Sequence, residues 1–346
     1  MKKKSICLVP EAKSLGGPRT FQHNLIAWAD KTSEVEIHFD TERKDIDAFL
    51  VIGGPKKYLT LLRKARAAGI PVVHRLNGMN WIHRHQNSGI KYYLHSEAAN
   101  LAIAYYRRFV CSKIVYQSPF CEERWNKVYG HLKQPTRIIY NGTDTLMFRP
   151  GETEPDFSKK ISFVLAEGSF RYGMDFGLDA AAELILGLAD RFPRPICMHV
   201  AGNISDASAS RIREMLQRSE KPAEVIFEGI LSREKLIKLE QEAAFFFSTE
   251  INAACPNAVI EAMACGLPVI GFDTGALKDV TGDAGIITAY GADPWNLEKP
   301  DTAPLVNAAE KIINDNSKYR RAARTRAEKY FSIDDMAENY IRFCLS

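Results

Sequence analysis

The chain has no CxxC pair, no His/Cys cluster at zinc spacing and no low-complexity segment. Its seven cysteines, an odd number without paired spacing, exclude a disulfide scaffold and point to reduced, mostly buried thiols. No long apolar stretch follows the basic tip of MKKKSICLVPEAK, so neither a signal peptide nor a membrane span is expected at the start. A cytoplasmic location follows, with peripheral contact at the inner face of the membrane left open.

At 346 residues, 46% apolar and 25% charged, the chain has the composition of a soluble globular protein of about two domains. The net charge of +4 hides an asymmetry. Residues 1–150 hold 24 Lys/Arg against 12 Asp/Glu, a net of +12, and the remainder holds 22 against 30, a net of −8. A basic half suits an anionic partner such as an acidic lipid surface or a phosphorylated acceptor, the plain alternative being a solvated basic surface. Nucleic acid is not expected, because the charges are spread over many elements and match no nucleic-acid module.

Strand and helix signals alternate from the start. Ser5–Val9, Val35–Phe39, Ala48–Ile52 and Pro71–Leu76 read as strands, Lys57–Ala68 and Ala98–Phe109 as helices, and Lys113–Gln117 as a further strand. This is the rhythm of a doubly wound α/β sheet. Gly16-Gly17-Pro18 joins the first strand to a helix, where glycines let a ligand approach the backbone. The segment HRLNGMNWIHRHQNSGIKYYLH leaves the sheet at its carboxyl end as a long polar loop, where ligands of such folds bind. Its histidines fit no closed metal set. Arg75, Asn77, His83 and His85 are its candidate ligand residues. Ser118 and Ser232 are expected helix N-caps. The polar stretch Gly-Glu-Thr-Glu-Pro-Asp after Pro150 is the expected domain border.

The informative stretch is Ala244 to Asp273, AFFFSTEINAACPNAVIEAMACGLPVIGFD. Ala244–Ser248 and Pro268–Gly271 read as buried parallel strands. Between them Pro256 opens a helix that Gly266 and Pro268 stop. The amides of Asn257, Ala258 and Val259, with the positive end of the helix dipole, form an anion site suited to a diphosphate. Glu261 follows one turn in, placed to accept two hydrogen bonds from a ribose cis-diol.

The run CPNAVIEAMACGLPVIGFDTGALKDV resembles the donor-binding segment of the family-four retaining glycosyltransferases, and TRIIYNGTDTLMFRPG resembles that family's domain-junction segment. The resemblance implies an α/β chain of the GT-B fold: two doubly wound Rossmann-like domains facing each other across a cleft. It suggests 1–150 as an acceptor-side domain, 151–330 as a nucleotide-sugar-binding domain, and 331–346 as a helix crossing back to the first. It also implies sugar transfer from a nucleoside diphosphate sugar to a glycan, lipid-linked or other small acceptor, with retention and with no metal and no cofactor. In these terms Glu261 holds the ribose, and Gly16, Gly17 and Gly168 face the diphosphate. Ile230, after Phe227-Glu228-Gly229, offers the base an apolar wall.

The departures from the family pattern matter as much. The first of the family's two motif glutamates falls on Ala253, and Glu250 lies three residues too early, either as a solvated loop charge or reaching in from a remodelled loop. The cation positions read Ser169 and Tyr172, which leaves Arg171 as the phosphate clamp and a catalytic candidate. Asn77 stands where the family often has a histidine or aspartate, and it can position a sugar but cannot take up a proton. Asp45-Ile-Asp47 matches the DxD of metal-dependent glycosyltransferases of another fold and is read here as a turn. Two rivals remain: a nucleotide-sugar-binding protein without catalysis, and a nucleotide-sugar epimerase.

Overall fold

The computed structural model describes residues 3–13, 16–86, 89–170, 176–217, 220 and 222–346. The chain divides into two compact units, Met1–Gly142 with Phe331–Ser346, and Thr143–Tyr330. Residues 143–150, which the linker composition placed with the first domain, belong to the second unit. There the Arg324 guanidinium donates to the carbonyls of Thr145 (3.0 Å) and Phe148 (2.9 Å). The last residues pack with the first unit: Tyr340 meets Phe21 at 4.8 Å between ring centroids, and Lys113 Nζ donates to the Phe343 carbonyl at 3.0 Å.

The first unit carries strands β1 (Lys4–Val9), β2 (Val35–His38), β3 (Ala48–Ile52), β4 (Val72–Leu76), β5 (Lys113–Tyr116) and β6 (Thr136–Ile138). They form one all-parallel sheet in the order β2-β1-β3-β4-β5-β6. A parallel sheet covered by helices on both faces demands apolar residues at successive positions, and β3, AFLVI, is buried throughout. The second unit carries β7 (Ile161–Phe170), β8 (Ile196–Ile204), β9 (Ala223–Gly229), β10 (Phe245–Ser248), β11 (Val269–Phe272) and β12 (Gly285–Thr288). Their order is β12-β11-β10-β7-β8-β9, again all parallel. Phe163 and Phe245 stack at 4.9 Å across the β7/β10 pair, at the centre of a core that includes Leu165, Leu184 and Ile185. Each such side chain contributes roughly 1.5–3 kcal/mol by leaving water.

Two expectations are corrected. The polar loop after β4 is shorter than its composition suggests, because a helix begins at Ile90 and runs to Tyr105 before a wider turn over Tyr106–Val110. Tyr92, Tyr93, Leu94 and His95 are therefore helical. The apolar run Ile161–Ala166 reads as a strand followed by a loop EGSFRYG, but strand β7 runs on past Ala166 to Phe170, with an irregularity between Ala166 and Ser169, so Gly168 lies within a strand. The capping expectations hold in geometry: Ser118 Oγ accepts from Cys121 N at 3.1 Å, and Ser232 Oγ from Lys235 N at 3.4 Å.

Candidate active site

In the second sheet the strand order reverses between β7 and β10, and the crevice outside the carboxyl ends at such a reversal is where open α/β sheets bind ligands. Glu167 and Gly168 stand at that end of β7. Thr249 and Glu250 follow β10. Gly177, in the helix Phe176–Arg191 after β7, lies so close that a Cβ there would come within 2.3 Å of the Thr249 Cβ. Gly202, at φ +143°, is equally constrained, since its Cβ would come within 2.0 Å of the Glu167 carbonyl oxygen. Burial, then the neighbouring Glu250 carboxylate, hold the Glu167 carboxyl well above the usual range, offset in part by a hydrogen bond with the Thr249 hydroxyl.

The helix after β10 spans Asn257–Ala264. Pro256 precedes it in extended conformation, and the helix's own ladder begins at Ile260 N on Pro256 O (3.3 Å), after the amides of Asn257, Ala258 and Val259. Its other end closes in a Schellman arrangement. Gly266, at φ +72°, donates to Met263 O and Leu267 to Ala262 O, both at 2.9 Å. Val259, Ile260 and Met263 are buried, which turns the Glu261 side of the helix outward.

Glu261 is half-buried, and among the described residues its carboxyl accepts no hydrogen bond from the protein. Burial pushes that carboxyl up to about 7, with Arg233 pulling the other way. Behind it Glu240 is fully buried, and neither carboxyl oxygen has a hydrogen-bond partner of ordinary geometry. Burial raises Glu240 to about 8; the Cys265 thiol counters in part and Glu261 adds to the rise. Both groups are thus poised to hold protons near neutral pH.

In the first unit, the Gly16 and Gly17 positions open the helix Gly17–Asp30, and Gly16 takes φ +137°, a conformation that favours glycine. Arg75 is only 2% exposed. Its guanidinium lies 4.1 Å from the Phe21 ring and donates to Asn77 Oδ1 (2.6 Å) and Asn141 Oδ1 (2.8 Å). Gln117 Nε2 also donates to Asn77 Oδ1 at 2.6 Å, and Asn141 Nδ2 to Gln117 Oε1 at 3.1 Å. Trp125 Nε1 holds the Asn77 carbonyl at 2.9 Å. Asn77 is therefore fixed in place by its neighbours, and Arg75 is buried as the fixing group rather than presented to an acceptor. His83 is likewise buried, with Nε2 2.8 Å from Glu97 Oε1, whereas His85 is exposed.

Ile230 is 80% exposed directly after β9. Arg171 lies outside the described residues. The acids of the DxD match are tied to cations: Arg43 holds Asp45 at 3.0 and 3.1 Å, and Lys4 holds Asp47 at 2.9 Å. Sequence reasoning missed Glu167, Thr249 and Glu240. Glu167 had a signal, a lone acid ending the apolar run FVLAE, but Glu240 sits in the charged segment REKLIKLEQE, where nothing separates a buried acid from solvated ones.

Two all-parallel six-stranded sheets with flanking helices in one chain define the GT-B glycosyltransferase fold. Sucrose-phosphate synthase from Thermosynechococcus elongatus superposes with a TM-score of 0.68 at 16% identity, over 99% of this chain and 98% of that one. HepE of Anabaena in complex with UDP-glucose does so with a TM-score of 0.66 at 14% identity, over 98% of each chain. Residues 158–315 match the family described as glycosyl transferases group 1. The alpha-maltose-1-phosphate synthase of Mycolicibacterium smegmatis is 23% identical over 218 residues, 58% of this chain and 54% of the relative. The chain thus spans about half the length of the curated relatives it matches, 54% of this one and 42% of a phosphatidylinositol N-acetylglucosaminyltransferase component from Arabidopsis thaliana. Among the described residues, no helix is long and apolar enough to cross a membrane.

Proposed function

We propose that the protein is a retaining, metal-independent glycosyltransferase that moves a sugar from a nucleoside diphosphate sugar to a glycan, lipid-linked or other small hydroxyl acceptor. The observation that carries this reading is Glu261: a half-buried carboxyl that among the described residues accepts no hydrogen bond, one turn inside a helix that begins at the carboxyl edge of the sheet. The amides of Asn257, Ala258 and Val259 take the diphosphate, Glu261 takes the ribose diol, and Ile230 walls the base. Gly168 gives the backbone room beside the diphosphate, and Arg171 clamps it.

In the transfer the bond from the anomeric carbon to the diphosphate oxygen breaks, and its electron pair leaves with the diphosphate. The acceptor oxygen bonds to the same carbon on the face just vacated, and its proton passes to the departing phosphate oxygen. Asn77, unable to take a proton, orients the sugar by hydrogen bonds, and His85 faces the acceptor. The helix dipole and Arg171 stabilise the developing charge on the leaving group.

The rival favoured by Ala253, at the position of the missing motif glutamate, is a binding protein without turnover. A thermal-shift screen across nucleoside diphosphate sugars selects the donor, since a ligand stabilises the folded state according to its affinity. Release of nucleoside diphosphate is then followed for wild type and Arg171→Ala. The enzyme reading expects release above the buffer blank, reduced by about 10²–10³ in the variant. Stabilisation by a donor with no release from the wild type would establish the rival instead.

A further inference from the structure

We infer that the helix Ile90–Tyr105 and the turn after it form a docking surface for an anionic lipid bilayer. The helix is built inside out. Its inward side carries Ser96 and Asn100, both buried, and Asn100 is satisfied by the Asn80 backbone, accepting from its amide at 3.1 Å and donating to its carbonyl at 2.8 Å. Its outward side carries a row of exposed apolar residues beside exposed Lys91 and His95. Ile90, Leu94 and Leu101 are 80%, 60% and 61% exposed, and Phe109 in the following turn is 58% exposed. The spacing of Ile90, Leu94, Leu101 and Tyr105 keeps them on one face over the whole helix. Isolated exposed apolar residues need no explanation, but a row of them, interrupted by Glu97 and opposite a polar buried face, does.

Charge selects the occupant. Between Asp47 and Glu122 the sequence contains eleven Lys/Arg and one acid, Glu97. That acid is neutralised: Arg84 donates to it at 2.6 and 2.9 Å and His83 contacts it at 2.8 Å, so its carboxyl is held down at about 2, Arg84 being the main cause. Lys91 on the helix and Arg108 in the turn are exposed beside the stripe. Arg66 Nη1 donates to the Phe109 carbonyl at 3.0 Å, which brings the helix Leu59–Ala67, with exposed Arg63 and Lys64, alongside. An apolar stripe flanked by cations and cleared of unpaired carboxylates matches the interface of an anionic bilayer, where apolar groups enter the headgroup boundary and Lys/Arg meet lipid phosphates. A protein partner would also cover the stripe, but would not by itself require an acid-free surround.

The test is co-sedimentation of the full chain with vesicles of phosphatidylcholine alone and of phosphatidylcholine containing about one-third phosphatidylglycerol, at low and at about 0.5 M salt. The wild type should bind the anionic vesicles, bind neutral ones at least about tenfold more weakly, and lose most of its binding at high salt. Two variants separate the contributions: Leu94→Ser with Leu101→Ser and Phe109→Ser, and Arg63→Gln with Lys64→Gln and Lys91→Gln. Each should lower partitioning about tenfold with an unchanged thermal midpoint. Absence of wild-type binding, or equal binding by the apolar variant, would overturn the inference. So would self-association in sedimentation velocity, abolished by the apolar variant, with no vesicle binding. The readout involves no donor and no turnover, so it stands or falls apart from the proposed activity.

Discussion

Donor affinity should depend on pH through Glu261, and the size of the effect follows from its environment. The carboxyl is raised to about 7 by burial, so in the free protein at neutral pH it is about half protonated. A ribose diol offers two hydroxyl donors, which an ionised carboxylate accepts together and a protonated one does not. If only the ionised form holds the diol, the apparent Kd is multiplied by roughly 11 at pH 6, 2 at pH 7 and 1.1 at pH 8. Affinity should therefore tighten about tenfold, about 1.4 kcal/mol, between pH 6 and 8. Binding at pH 7 should release about half a proton. A nucleotide sugar is the proper probe, because both its phosphates are esterified and do not titrate in this window. Calorimetry at the three pH values in two buffers of different ionisation enthalpy reads affinity and proton release together. Glu261→Gln should cost about 1.5–3 kcal/mol at pH 8 and remove the slope. A flat wild-type profile, or a slope surviving in the variant, would refute the ribose role.

Two further outcomes concern the framework. Glu240 is raised from 4.5 to about 8 in the folded chain, so the stability its proton confers is complete below about 4.5 and drains away as pH rises towards 8. The loss amounts to a few kcal/mol, up to about 4, and Glu240→Gln should flatten the fall of the thermal midpoint between pH 5 and 8; parallel curves would count against a neutral buried acid. Arg75→Ala strips donors from Asn77 and Asn141 in a buried network and should lower unfolding free energy by about 2–4 kcal/mol in urea with an unchanged m value, whereas a change under about 0.5 kcal/mol would show that Arg75 is not the fixing group.

The architecture was legible because parallel strands write themselves as apolar runs. AFLVI and FFFS could be read directly, and the Pro256 start and Gly266 stop of the donor-site helix rest on local backbone chemistry. What failed depended on partners distant in sequence. Arg75, in HRLNG, looked like a loop cation, and only its contacts with Phe21 and Asn141 bury it. The helix from Ile90 was hidden for a different reason. Its second half falls within the expected helix Ala98–Phe109, but its first turns hold Lys91, Tyr92, Tyr93 and His95, whose polar and aromatic composition reads as loop. The extension of β7 to Phe170 depends on pairing Ser169 with Asn203 of β8, which no local propensity announces.

Residues 151–346 carry a net charge of −8, yet they hold the site proposed for an anionic diphosphate. Protonation by burial reconciles the two. Glu167 stands at the carboxyl end of β7, where a negative charge would repel a phosphate at close range, but burial, then Glu250, push its carboxyl towards the protonated form. Burial raises the Glu250 carboxyl above its usual range as well, so the Glu167 and Glu250 pair carries less negative charge than two solvated acids. Glu261, one turn further from the helix start, is raised to about 7, and in the proposed donor site its negative charge would meet a diol rather than a phosphate. In the proposed site the positive end of the helix Asn257–Ala264 would act on the diphosphate with less opposition from these acids than their count suggests. Gly177 and Gly202, whose missing Cβ atoms let Thr249 and the Glu167 backbone pack closely, maintain the burial that raises the Glu167 carboxyl. The electrostatics of the site are thus set by packing, through which acids are allowed to keep their protons, more than by the number of charges around it.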